Sequence, residues 1–537
     1  MQNRRSFLKT SAVAGAGLLL PLPGVLRRSV AAIPGGSLRP TSIPKYINAL
    51  DILPAMPKAG QIMEHGALVD YYEIALRQFN QNILPPSMGI EPTTVWGYGA
   101  VNTPSSFGYP ASTIEATVDR PVRVKWINGL IDNQGRYRKH LLTVDQTLHW
   151  ANPPGGMNGR DGRGSSQLRY TGPVPMVPHL HGAHVQDHSD GYPEAWFLPA
   201  AANIPGGYAR NGTWYEYFKN KFQQQHGVTW QPGTATYQYT NDQRATTLWF
   251  HDHALGMTRA SVYSGATGFY LLRGGPADAV TGRLPGPAPA AGDPAGKAYY
   301  EIPLVIQDRS FNEDGSLFYP DNRAFFEGLR EEQLRISFIP DQACGGQSDV
   351  PPLWNAEFFG NCMVVNGHTW PFLNVEQRRY RFRILNACNS RFLILKMSND
   401  MPICQIGADG GFLPTPVSLT QLLVAPAERV DVIIDFTQVR RDTQLLLLNV
   451  GPDEPFGGGV PGMDFASADP RTTGQVMMFR VRSARDVDVS TPCMDLVLPN
   501  RTPYGPQIAT RQVSLNELES ATVRVITDPR ADHSGVF

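Results

Sequence analysis

The sequence predicts an all-β protein of tandem antiparallel sandwich or barrel domains. Three observations point there: strand-like runs recur along the chain, convincing helical periodicity is scarce, and turn-forming residues abound. Residues 112–118 (S-T-I-E-A-T-V) alternate polar and apolar, and 121–126 (P-V-R-V-K-W) keep the rhythm. Residues 380–385 (Y-R-F-R-I-L) and 430–436 (V-D-V-I-I-D-F) repeat it far downstream. Side chains along a strand point alternately to its two faces, so these runs read as half-buried antiparallel strands. Helical spacing is confined to short pieces such as 324–335. The 52 glycines and 46 prolines supply the turns that many short strands need.

A chain of 537 residues is too long for one core and predicts two to four domains. Hydrophobic residues (42%) far outnumber charged ones (18%), as long globular segments require. Residues 274–297 are rich in Gly, Pro and Ala and cannot bury a core, so they read as a linker or surface loop. A second Gly/Pro-rich stretch covers 451–462. These breaks divide the chain into a β-domain over 45–273, another over 298–450, and an incomplete domain over 475–537. Lys plus Arg and Asp plus Glu both number 47, so nothing draws the chain to nucleic acid or an acidic membrane.

The N-terminus carries an address. Arg4-Arg5-Ser6-Phe7-Leu8-Lys9 precedes an apolar, small-residue run over 11–20, with small residues at Ser29 and Ala31 for cleavage. Residues 1–31 resemble a twin-arginine signal peptide, which predicts a periplasmic or extracellular protein with no membrane attachment after processing. The run is short for a transmembrane helix. Export permits disulfides. The five cysteines (Cys344, Cys362, Cys388, Cys404, Cys493) form no C-x-x-C pair, and their odd number leaves at least one unpaired. Cys344 with Cys362 is a candidate bridge, and Cys388 and Cys404 read as small core residues.

Two histidine patterns carry the functional argument: His179-Leu180-His181-Gly182 and Trp249-Phe250-His251-Asp252-His253. In a strand, residues two apart share a face at about 6.5 Å. If the two strands lie side by side, four imidazoles converge. An all-imidazole shell suits Cu, Zn, Fe or Ni and disfavours Mg or Ca. A single H-x-H is more often a surface or structural feature, and spacing alone leaves the metal open.

The match extends well beyond the histidines. His179-Leu180-His181-Gly182 with 187–197 (D-H-S-D-G-Y-P-E-A-W-F), and 249–259 (W-F-H-D-H-A-L-G-M-T-R), resemble two copper motifs of the multicopper oxidases of the spore-coat laccase and bilirubin oxidase type. Trp96-Gly97-Tyr98-Gly99, 308–320, Val365-Asn366-Gly367, 405–411 and Ala425-Pro426-Ala427-Glu428-Arg429 extend the resemblance over roughly 45–481. It implies cupredoxin-like Greek-key sandwiches, two complete and a third partial. It also implies copper as cofactor, with His179 a type 2 ligand and His181, His251 and His253 type 3 ligands, together half of a trinuclear cluster that reduces dioxygen to water. Asp190 matches an acidic residue that assists proton delivery, although an Asp before Gly also serves as a turn former. His184 and His188 match no ligand position and read as loop histidines. The implied partners are O2 and a small reducing substrate: a phenol, a tetrapyrrole or a low-valent metal ion.

The family's remaining motifs, an H-P-x-H-x-H strand and an H-C-H segment, are not found in this sequence. After His253 the histidines are His368 and His533, and no cysteine is flanked by histidine. A type 1 copper site needs a thiolate with two imidazoles, so oxidation by these residues alone is expected to fail. Residues 511–517 (R-Q-V-S-L-N-E) resemble an early part of the third domain, and a truncated or frameshifted product or a partial sequence is the expected explanation. The alternative is a non-catalytic exported scaffold of the same fold. A two-domain copper nitrite reductase fits less well, because it too needs the Cys-bearing site.

Overall fold

Alternating apolar residues build the first pair of sheets. We analysed a computed structural model of the chain, which describes residues 36–146, 148–164, 169–275, 278–321, 357–500 and 505–513, with backbone alone at 524–526 and 534–536. In chain order the first nine strands are β1 (Gly60–Glu64), β2 (Ala67–Gln81), β3 (Thr93–Ala100), β4 (Ala111–Thr117), β5 (Val122–Asn128), β6 (Pro178–His181), β7 (Thr234–Tyr239), β8 (Thr246–Asp252) and β9 (Thr267–Arg273). One sheet runs β1-β2-β5-β7 with β3 also on β2, and the other runs β4-β9-β8-β6. The sheets meet through aromatic rings. Tyr98 of β3 and Trp126 of β5 each lie 5.4 Å from Phe250 of β8, ring centre to ring centre. With Leu180 and Phe250 buried in this core, alternation turns their neighbours in sequence to the opposite face.

The second sandwich uses β10 (Glu301–Phe311), β11 (Leu317–Phe318), β12 (Cys362–Val365), β13 (His368–Thr369), β14 (Phe372–Glu376), β15 (Arg379–Asn386) and β16 (Leu393–Met397). It continues with β17 (Ile403–Ala408), β18 (Gly411–Leu419), β19 (Leu422–Val424), β20 (Arg429–Asp435), β21 (Gln444–Asn449) and β22 (Gln475–Arg482). One sheet is ordered β13-β12-β10-β15-β20-β17-β18 and the other β14-β22-β21-β16-β19. Phe382 of β15 reaches Phe479 of β22 at 5.6 Å across the core. Residues 475–482, which the sequence breaks assign to a third domain, thus form a strand of this second sandwich, paired with β14 and β21. Farther on, β23 (Arg524–Ile526) and β24 (Ser534–Val536) form an antiparallel hairpin. No helix among the described residues is long and apolar enough to cross a membrane.

The strands fall where the alternation places them, but two expectations change. β4 pairs with β9 in parallel, and β5 and β15 each have one parallel neighbour. Alternation reports which face is buried, not the direction of the neighbour, which the long connections decide. The polar faces of β15 and β20 are also not solvated. Arg381, Arg383 and Asp431 are all buried. Glu301 receives Arg273 at 2.6 Å, Arg383 at 3.1 Å and Arg381 at 3.4 Å, while Asp431 receives Arg381 at 2.6 Å. Arg383 also donates to Thr247 Oγ1 of β8 at 3.1 Å. This cluster, with the apolar contact of Trp249, Phe269 and Leu271 against Val305 and Leu385, joins the two sandwiches.

The disulfide expectation is corrected. Cys404 is bonded to Cys493, with Cα atoms 6.5 Å apart. The bond sits among Ile406, Ile433, Leu496 and Leu498, with Val280 and Leu284 of the 274–297 stretch packed against it. A cysteine in an apolar strand looks like core until the chain that returns over it is known. Cys362 and Cys388 are free and buried. Cys344 and the short helical pattern at 324–335 lie outside the described residues.

Burial alone would raise the Glu301 carboxyl, but the three arginines outweigh it and hold it well below the usual carboxylate range. Glu301→Gln leaves buried arginines uncompensated and should cost about 3–5 kcal/mol in urea unfolding at neutral pH. A cost under about 1 kcal/mol, the range of an exposed pair, would show that the cluster does not hold the sandwiches together. A depressed carboxyl contributes stability that is present above its unfolded value of about 4.3 and lost as pH falls toward the folded one. The gap between wild type and variant should therefore narrow as pH falls below about 4.

Candidate metal centre

Two strands bring the histidines together. β6 and β8 are antiparallel neighbours, with His179 opposite His251 and His181 opposite Trp249. The His253 amide donates to the Val177 carbonyl at 2.7 Å, so the pairing continues past the end of β8. Residues directly opposite share a face, and His179, His181, Trp249, His251 and His253 therefore all project from one side. The ring of His179 lies 5.8 Å from that of His181, 5.4 Å from His251 and 4.9 Å from His253. One nitrogen from each of His179, His181 and His251 falls within 4.8 Å of the others. The indole of Trp249 covers His251 at 4.3 Å.

Backbone carbonyls decide which nitrogen each ring offers. His179 Nδ1 donates to the Asp190 carbonyl, His251 Nδ1 to that of Asp252 at 2.8 Å and His253 Nδ1 to that of Gly191 at 3.1 Å. A carbonyl only accepts, so each Nδ1 carries the proton and each Nε2 keeps a free lone pair, the form a metal binds. Burial, then the Arg429 guanidinium, pushes the His181 imidazolium down to about 4. Burial lowers His251 and His253 as well. These three rings are neutral donors near neutral pH. The four imidazoles, with Trp249, Arg309, Cys388 and Ala427, line a cavity of about 440 Å³.

The surrounding shell was only partly legible. Asp252, on the opposite face, is buried and accepts from the Val177 amide at 2.9 Å, which anchors β6 to β8. Burial raises its carboxyl to about 7. Two glycines are required by their left-handed backbone, and Gly191 by space as well. Gly191 has φ +82°, and a Cβ there would sit 2.1 Å from the Pro178 carbonyl oxygen; Gly182 has φ +83°, and a Cβ would meet Arg429 at 2.6 Å. Arg429, from the second sandwich, also donates to the Thr247 carbonyl of β8 at 3.0 Å. The Ser-Asp-Gly of 189–191 signals the turn, whereas nothing in the residue types signals which carbonyls hold the rings. Asp190 approaches His179 Nδ1 at 3.7 Å through Oδ1, with its side chain 47% exposed. His184 is exposed and bonds Asp242 at 2.8 Å, away from the cluster.

Comparison with known proteins agrees with the residues. The profile of twin-arginine translocation pathway signal sequences matches residues 1–21, which marks the chain for export. A laccase of Bacillus stratosphericus is 35% identical over 441 residues, covering 82% of this chain and 66% of its own length. A laccase of Bacillus subtilis is 33% identical with the same coverage. The chain thus spans just under two thirds of the length of these relatives. Among solved structures, a laccase of Pediococcus acidilactici matches with TM-score 0.52 at 18% identity, covering 87% of this chain and 68% of that one. The multicopper oxidase of Aquifex aeolicus matches with TM-score 0.51 at 20% identity, covering 87% and 71%. With its tandem cupredoxin-like sandwiches and paired histidine strands, this chain belongs to the multicopper oxidase family.

Proposed function

We propose that this chain holds half of the trinuclear copper centre of a laccase-like oxidase, with His179 as type 2 ligand and His181, His251 and His253 as type 3 ligands. The observation that carries the reading is the convergence of four imidazoles on one sheet face, three of them with Nε2 left unprotonated. That donor set fits copper. Bound there, copper would supply the redox chemistry that reduces dioxygen to water with electrons from a phenol, a tetrapyrrole or a low-valent metal ion. The protein's own contribution is to orient His179, His251 and His253 through backbone carbonyls and to keep His181, His251 and His253 neutral by burial. The half-exposed Asp190 carboxylate beside His179 is proposed to relay protons at the edge of the site.

None of the five cysteines lies between histidines. These residues therefore provide no type 1 thiolate site, and we infer that they do not by themselves couple substrate oxidation to dioxygen reduction. The same reading makes 45–273 and 298–482 two complete sandwiches, with a third beginning after β22.

Copper titration of the purified chain tests the assignment. Binding at micromolar copper or below is expected, and His251→Ala should weaken it by at least about tenfold. No binding at micromolar copper would favour a non-catalytic exported scaffold. A phenolic dye under air should not be oxidised by the 537-residue chain alone; turnover would contradict the inferred need for a type 1 site. By NMR of the metal-free protein, His181 should protonate near 4. A histidine lowered on folding makes the protein lose stability as pH falls from about 6.5 toward that value. A midpoint between about 6 and 7, the unperturbed range, would remove burial and Arg429 as the cause.

A further inference from the structure

We propose that His188 is a positioning residue: by pinning the turn at 187–191 to the helix Tyr215–His226, it sets which nitrogen His179 and His253 present to a metal. The part that concerns metal affinity rests on the reading of these rings as ligands, whereas the part that concerns ring protonation does not.

The turn supplies two of the three carbonyls that hold the imidazoles, Asp190 to His179 and Gly191 to His253. The third, Asp252 to His251, comes from the histidine strand and owes nothing to the turn. His188 lies at the centre of the turn and is 2% exposed. Its Nδ1 meets Ser189 Oγ at 2.7 Å, and its Nε2 meets Gln186 Oε1 at 2.7 Å and Gln225 Oε1, on the helix, at 2.9 Å. Ser189 Oγ already accepts the Gln238 amide of β7 at 3.0 Å. The two amide oxygens can only accept, so His188 Nε2 carries the proton and donates to them, which leaves Nδ1 to accept from the Ser189 hydroxyl. The ring edges also contact Phe222 and His226 of the helix at 5.3 and 5.6 Å. The other tie between turn and helix, Lys221 to Asp187 at 2.7 Å, is exposed and worth little.

His188 is thus a neutral ring with both nitrogens committed, buried where turn, helix and β7 meet. If it is removed, nothing buried holds the turn against the helix and the two carbonyls drift from His179 and His253. Without an acceptor at Nδ1, the proton is free to occupy Nε2, where it blocks a metal.

Long-range proton–nitrogen NMR on the full chain, labelled with ¹⁵N-histidine and free of metal, reads the protonated nitrogen of each ring. In wild type, His179, His251 and His253 should all carry the proton on Nδ1. In His188→Ala, His179 and His253 should become tautomer mixtures while His251 stays as it was. Copper(II) affinity should fall on the order of 10- to 100-fold. A Gln186→Leu/Gln225→Leu double variant removes both acceptors at exposed positions and should give the same pattern if His188→Ala does not fold. Unchanged tautomers at His179 and His253 in either folded variant would overturn the proposal. If wild type binds no copper but the tautomers shift as described, the metal assignment fails and the positioning role stands.

Discussion

The antiparallel register of β6 on β8 is the constraint on which the site depends. With His179 opposite His251, the two H-x-H patterns fall on one face, and a slip of one residue would turn one pair toward the aromatic core. The register is held from the core side. Leu180 and Phe250 are buried there, and the Asp252 carboxylate grips the Val177 amide. The same alternation that hides Phe250 against Tyr98 and Trp126 exposes His251 to its neighbours. Core packing and the convergence of the imidazoles are one geometric fact here.

Around that register the fold adds two kinds of support. The second sandwich packs on the histidine-bearing face of β8 and β9 through apolar side chains and the Arg–Glu–Asp cluster, so the histidine strands have a fixed neighbour on the side they present. Backbone carbonyls and burial then choose the chemical form of the rings. Fixing the proton on Nδ1 and lowering three imidazolium values both favour neutral donors, although the causes are separate. The first is local hydrogen bonding and the second is desolvation, assisted at His181 by Arg429.

Much of this was legible in the residues. The alternation at 112–118, 121–126, 380–385 and 430–436 marked true strands, and the two H-x-H patterns marked the strands that pair at the site. Strand direction was not legible, because β4 and β15 look the same whether their neighbours run parallel or antiparallel. Nor was the burial of Arg381 and Arg383, which depends on Glu301 arriving from a strand about eighty residues earlier. Cys404 looked like core because its partner returns from far along the chain. His188 looked like a loop histidine because its hydrogen bonds reach a helix, and a single residue type in a loop carries no sign of that.

The most direct test of four imidazoles meeting on one face is anomalous diffraction at the copper absorption edge from crystals of the copper-soaked protein. The account predicts copper peaks within bonding distance of Nε2 of His179, His251 and His253, with His181 completing the group. Peaks elsewhere, or these rings turned away from one another with no peak between them, would contradict it.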